Sequence, residues 1–256
     1  MVEDIFIIDP TGVIKEEGFT IDQEDMTNII GLILMILVLL LIVFIALGFN
    51  NATHSNKPVI PNTYYIGNLA EQKLISSLKN YGIDSKAIFH NLYVRKSNGK
   101  YSQIDVVVLT NRGLIVFEVK NYSGWIYGSE QQKYWTQVLA YGRYKYKMYN
   151  PIMQNVEHIR ALRQNLPQNP SIPIYSIVIF YGSAELKNIS CSSHDTYLIY
   201  SNSICNVLQS IKKKPLIKDF NKEEICNVLN KASENSKNPS IIASHAYSVR
   251  NFINKK

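Results

Sequence analysis

One stretch, SQIDVVVLTNRGLIVFEVKNYSG from Ser102 to Gly124, constrains this chain more than any other. Two apolar runs flank the polar break Asn111-Arg112-Gly113, the pattern of two strands joined by a tight turn. Asp105 nevertheless interrupts the first run, and Glu118 and Lys120 interrupt the second. Charges inside a sheet are costly unless they are paired or hold a metal ion. With Asn111-Arg112 as a two-residue loop, Asp105 and Glu118 stand opposite each other, their Cβ atoms about 4.5–5.5 Å apart. A three-residue loop that includes Gly113 makes them offset neighbours that are still close. Alternation along the strand puts Lys120 on the Glu118 face.

The expected result is a patch of two carboxylates and an ammonium. Carboxylates this close repel unless a cation lies between them. Mg2+ or Mn2+ suits such a site, because it takes oxygen donors, keeps waters and binds phosphate oxygens. Asp105 and Glu118 are the expected metal ligands. Lys120 would deprotonate or orient the attacking water and offset charge on a phosphoryl transition state. That chemistry is phosphodiester hydrolysis. The competing reading, solvated charges on the open face of a hairpin, fits poorly with flanks this apolar. A further acid, Glu71, lies at the rim of an amphipathic helix over Ile66–Tyr81, whose stripe is Ile66, Ala70, Leu74, Ser77, Leu78 and Tyr81, with Gly82 as the stop.

The run from Ile29 to Phe49 is 21 residues without a charge. As a helix it reaches roughly 30 Å, enough to cross a bilayer, and a core helix would not stay apolar on every face over this length. Residues 1–27 carry eight acids and one base, net −7, so the remainder must carry +14 to reach the total of +7. An acidic lead of this kind fits a cleaved signal peptide poorly. The charge asymmetry predicts a single-pass chain in the cell membrane, N-terminus outside and the large basic part in the cytoplasm, where a polyanion or the anionic inner leaflet would attract it. Cys191, Cys205 and Cys226 lack metal-ligand spacing and suit a reducing compartment.

The polar segment NNATHSNKPVIPN after the apolar run reads as a tether. Strands are expected over Ala87–Val94, Tyr101–Thr110 and Leu114–Asn121, then a short ribbon of GWIYG and KYWTQV. YWTQVLAYGRYKYKMY reads as strand then loop, with a helix as the alternative. Asn150 and Pro151 open a helix that Pro167 closes, its apolar stripe Ile152, Val156, Ile159, Leu162 and Leu166. Ile174–Tyr181, apolar on both faces, reads as a central strand. A strand and helix in TYLIY and SICNVLQSI and two further helices complete an α/β/α reading.

The blocks GNLAEQKLISSL, YSQIDVVVLTNRGLIVFEVKNYSGWIYG, Trp135 and YNPIMQNVEHIRAL follow one another in the order and spacing of the nuclease-related domain, NERD. The chain resembles that branch of the PD-(D/E)xK nuclease superfamily over roughly Tyr65–Leu166. The resemblance implies a restriction-endonuclease-like α/β/α core with a mixed central sheet, centred on the charged hairpin, with Glu71, Asp105, Glu118, Lys120 and Gln154 as catalytic residues. Ile104 stands where the superfamily's name would place proline. By helical spacing Gln154 lies with His158 roughly opposite the stripe of Ile152 and Ile159, where a solvated glutamine is the other reading. Gln137 resembles the start of a Q-x-x-x-Y motif, which would need a helix there.

The expected organisation is an acidic segment over 1–27, a membrane helix over 28–49, a linker over 50–64, the nuclease-like domain over 65–181 and a strand and helix extension over 182–256. DNA is the expected partner, with RNA as a second substrate class, and the lipid bilayer is met through 28–49. In YGRYKYKMY, rings alternate with Arg143, Lys145 and Lys147, which would meet phosphates while bases stack. An ordinary edge strand guarded by lysines is the other reading. The alternative function is an inactive DNA-binding or scaffold module at the membrane.

Overall fold

The computed structural model describes residues 26–28, 30–37, 62–189, 191 and 193–254. The chain divides into two units, Met1–Val59 and Ile60–Lys256. In the first, residues 26–28 and 30–37 are helical (α1) and their side chains are exposed. The rest of the expected span, and nearly all of the expected acidic segment and linker, lie outside the described residues. Among the described residues no helix is long and apolar enough to cross a membrane.

The second unit opens with helix α2 (Asn62–Asn80), four residues earlier than the stripe predicts. Ala70, Leu74 and Leu78 are buried along it, and Gly82 follows with φ +99°. Strands β1 (Ile88–Arg95) and β2 (Tyr101–Thr110) pair antiparallel, and β2 pairs β3 (Gly113–Tyr127) from Thr110↔Gly113 back to Val106↔Phe117. This is the register of the two-residue Asn111-Arg112 loop. Gly113 has φ +128°, and a Cβ there would lie 2.2 Å from the Pro173 carbonyl oxygen, so glycine is required.

β3 is longer than predicted, because GWIYG is its own far end. There it pairs β4 (Tyr134–Leu139) through Trp125↔Val138 to Tyr127↔Thr136. β5 (Tyr144–Tyr149) pairs β4, so the expected loop is an edge strand and Gln137 sits on a strand. The other edge of β3 is parallel to β6 (Ile174–Lys187) over its whole length, and β7 (Thr196–Tyr200) is parallel to β6. The result is a mixed seven-stranded sheet.

Helices cover both faces. α2 and α4 (Ile204–Lys212) pack through Leu74, Leu78, Ile204 and Leu208 onto Val106, Phe117 and Ile177. α3 (Pro151–Gln164) and α5 (Lys222–Asn235) pack through Leu162, Ile225 and Leu229 onto Leu92, Val107 and Val116. α6 (Pro239–Asn254) follows, and the His245 ring meets Tyr93 edge-on. Residues 182–256, expected as an extension, thus contribute to the same two cores.

α3 begins as predicted. The buried Asn150 accepts from the Ile152 N–H at 2.8 Å and donates to the carbonyls of Ser129, Glu130 and Gln132. Its buried face departs from the predicted stripe: Val156 is 42% exposed, while Asn155 and His158 are inside. Asn155 Nδ2 donates to Val116 O at 3.0 Å and Ser176 Oγ at 2.9 Å, tying α3 to β3 and β6. The three cysteines are free thiols.

Candidate active site

The site forms where the sheet is interrupted. β2 pairs β3 only up to Phe117, and β4 takes over the same edge only at Trp125. Among the described residues, Glu118, Val119 and Lys120 have no ladder partner on this edge. Asp105, one residue past the last β2 rung, fills part of the gap: its Oδ2 accepts the Val119 N–H at 2.8 Å.

Asp105 also marks a slip in alternation. Ile104 belongs to the core under α3 and α5, whereas Val106, two residues on, belongs to the core under α2 and α4. The facing residue of β1, Asn91, is left out of the ladder and has φ +51°. Asp105 is therefore not the directly opposed partner of Glu118 that strict alternation predicts. The two strands part there, and the carboxylate replaces a backbone acceptor.

Glu118 is 1% exposed and engaged at both oxygens. Lys120 Nζ lies 2.5 Å from its Oε1, and His158 Nε2 lies 3.0 Å from its Oε2. His158 Nδ1 is 2.8 Å from Ser102 Oγ, and Lys120 Nζ donates to Gln154 Oε1 at 3.1 Å. One connected series, Ser102, His158, Glu118, Lys120 and Gln154, thus joins β2, β3 and α3. Gln154 and His158 are one helical turn apart on α3, so both reach the same two β3 side chains.

Burial pushes the Glu71 carboxyl on α2 up to about 7, with the nearby Glu118 adding to the shift. Asp105 is raised well above the usual range by burial, then by Glu118 and Glu71, against the lowering effect of Lys120 and the Val119 hydrogen bond. Burial alone would raise Glu118, but Lys120 and His158 outweigh it and hold the carboxyl low. Burial alone would lower Lys120, but Glu118, Tyr122 and Asp105 raise it. These neighbours favour the ammonium form of Lys120.

Of the five expected catalytic side chains, Glu118, Lys120 and Gln154 are directly linked, Asp105 accepts the Val119 N–H between them, and Glu71 on α2 is close enough to act on Asp105 through its charge. Arg143, Lys145 and Lys147 do not join them: they are exposed on and beside β5, which β4 separates from β3. Lys145 and Lys147 also face away from Tyr144 and Tyr146, so the alternation expected along this segment splits between two faces of a strand. His158 and Ser102 join the site without being legible as site residues in the sequence; the spacing of His158 one turn after Gln154 is the available signal.

Carboxylate oxygens are the donor type that a hard divalent cation takes. Glu118 raises the proton affinity of Glu71 and Asp105, and Glu71 that of Asp105; a cation between these carboxylates would remove that repulsion. Among the described residues, no group of three or more His, Cys, Asp or Glu side chains is spaced to hold a metal ion. Asp105 and Glu118 would hold one with water completing the shell, and Glu118 would have to release Lys120 or His158 to do so.

The nuclease-related domain profile matches residues 66–181. An uncharacterized protein of Bacillus anthracis is 33% identical over 152 residues, which is 59% of this chain and 69% of that relative. No solved structure matches the chain. With the charged hairpin, the αβα core and the NPxxQ helix in place around one site, the chain belongs to the nuclease-related domain (NERD) family.

Proposed function

We propose that the chain is a membrane-anchored nuclease of the PD-(D/E)xK type that hydrolyses phosphodiester bonds in DNA with Mg2+ or Mn2+. The observation that carries this reading is the meeting of Asp105, Glu118, Lys120 and Gln154 at a gap in the sheet, beside a glutamate with a pKa of about 7. When bound by Asp105 and Glu118, a divalent cation supplies charge neutralisation at the scissile phosphate. Glu71 titrates near neutral pH and is suited to accept the proton of the attacking water. Lys120 keeps its charge and offsets the negative charge that develops on the phosphate. Gln154 orients Lys120, and His158 orients Glu118. Arg143, Lys145 and Lys147 hold phosphates away from the site. The apolar run 29–49 anchors the chain, with the basic part in the cytoplasm.

The test is cleavage of linear, circular and single-stranded DNA, and of RNA, with Mg2+, Mn2+ or EDTA. Lys120→Ala should lower turnover by about 10²–10⁴-fold while the protein still binds DNA. A second reading, an inactive DNA-binding or scaffold module, is favoured by one observation: both oxygens of Glu118 are already engaged. It expects DNA binding with no metal-dependent cleavage, and a Lys120→Ala protein that matches its parent in every assay.

A further inference from the structure

Beyond the gap, one face of the β3–β4–β5 ribbon is aromatic and basic. The ladders set Trp125, Val138 and Lys145 in one row and Tyr127, Thr136 and Lys147 in the next, and alternation gives both rows the same face. The opposite face buries Ile126, Trp135 and Met148 against Ile152 of α3. On the first face Tyr127, Lys145 and Lys147 are exposed and Trp125 is half-buried. Lys187 of β6 lies 5.6 Å from the centre of the Trp125 ring, and Glu185 neutralises it through a 2.6 Å ion pair. Among the described residues Lys145 and Lys147 make no ion pair.

The turn between β4 and β5 adds an independent sign. Ala140, Tyr141 and Gly142 have φ of 49°, 54° and 103° in succession. Left-handed backbone is unfavourable for alanine and tyrosine and persists where surrounding structure imposes it, often at ligand sites. Here it holds Tyr141 96% exposed with its ring 6.3 Å from that of Trp125, at 80°. A ring so placed contributes almost nothing to the core.

We propose that this face is a stacking platform for single-stranded nucleic acid, with bases on Trp125 and Tyr141 and phosphates on Lys145 and Lys147. Ring faces call for a flat partner and unpaired ammonium groups for an anion; a single strand supplies both at each nucleotide, whereas a duplex hides its base faces. Lys120 and Trp125 are roughly 17 Å apart along β3, and alternation puts their side chains on opposite faces of the strand, so a single strand on the platform would reach the carboxylates through the gap in the sheet. The proposal deepens the nuclease reading and rests on it for the class of ligand.

The experiment uses the full chain in detergent micelles with EDTA and fluorescent oligothymidine, oligouridine and a duplex of equal length. Single strands should bind more tightly than duplex and quench the fluorescence of Trp125. Tyr141→Ala should weaken single-strand binding about tenfold without changing its salt dependence, and Tyr141→Phe should restore it. Lys145→Ala with Lys147→Ala should flatten the salt dependence by about 0.7 log units for each phosphate no longer held. A preference for either sugar supports the platform and identifies its strand. Parent-like binding of single strands by Tyr141→Ala overturns it. So does a loss confined to phosphatidylserine vesicles, which would assign the face to a lipid surface. Hydrolysis is read separately on bis(4-nitrophenyl) phosphate. Tyr141-dependent strand binding without Lys120-dependent hydrolysis keeps the platform and removes the nuclease reading; Lys120-dependent hydrolysis with Tyr141-independent binding does the reverse.

Discussion

Glu71 shows how a residue unremarkable in sequence takes its character from its neighbours. Burial, then Glu118, raise its carboxyl from 4.5 to about 7. The folded chain therefore holds this proton more tightly than the unfolded chain does, and the group favours folding less as pH rises from about 4.5 through about 7. Asp105, also raised, acts in the same direction. Glu118, held low, acts in the opposite one: its contribution is present above its unfolded value and is lost as pH falls through the folded one. The metal-free protein should accordingly melt at a lower temperature at about pH 7.5 than at about pH 5, and Glu71→Gln should remove much of that difference. A parent melting temperature that rises across this window would refute the electrostatic picture. Asp105, Glu118 and Lys120 are legible in the sequence because charge interrupts apolar strands. His158 is not, since a histidine on a helix announces nothing until the side chain it meets on β3 is known.

At the scale of the element, α3 separates pattern from packing. Its ends are readable: Asn150 caps the first turn and Pro151 occupies the first position. Its buried face is only half readable. Ile152 is 2% exposed and Val156 is 42% exposed, although both belong to the apolar stripe. The polar residues Asn155 and His158 take the inward positions because they have partners there: Val116 O and Ser176 Oγ for one, Glu118 and Ser102 for the other. Ile152→Ala should therefore cost about 2–5 kcal/mol. Val156→Ser should change stability by no more than about 0.5 kcal/mol. Urea unfolding of the two variants checks this, and equal losses would mean that the sequence stripe, not the observed face, is buried. β5 behaves in the same way, since its lysines and rings read as one mixed surface and pairing with β4 divides them.

For the whole molecule, the charge difference between residues 1–27 and the rest, net −7 against +14, sets the expected topology. Protease added outside intact cells should remove only an N-terminal segment, and degradation of the unit Ile60–Lys256 from outside would reverse the orientation. By itself the sequence determined what depends on neighbours along the chain. A two-residue turn sets the β2–β3 register, Asn150-Pro151 starts α3, Gly82 follows α2, and apolar residues on both faces mark β6 as central. Tertiary structure alone decided what depends on groups distant in sequence. It set the point where β2 leaves β3 and β4 joins it, the turning of Asp105 toward the Val119 N–H, and the inward face of α3. It also raised the proton affinity of Glu71, through burial, and of Lys120, through neighbouring charge. The physical reason is that turn geometry and strand alternation act over a few residues, whereas burial and charge act through space, between groups that only the assembled sheet and helices bring together.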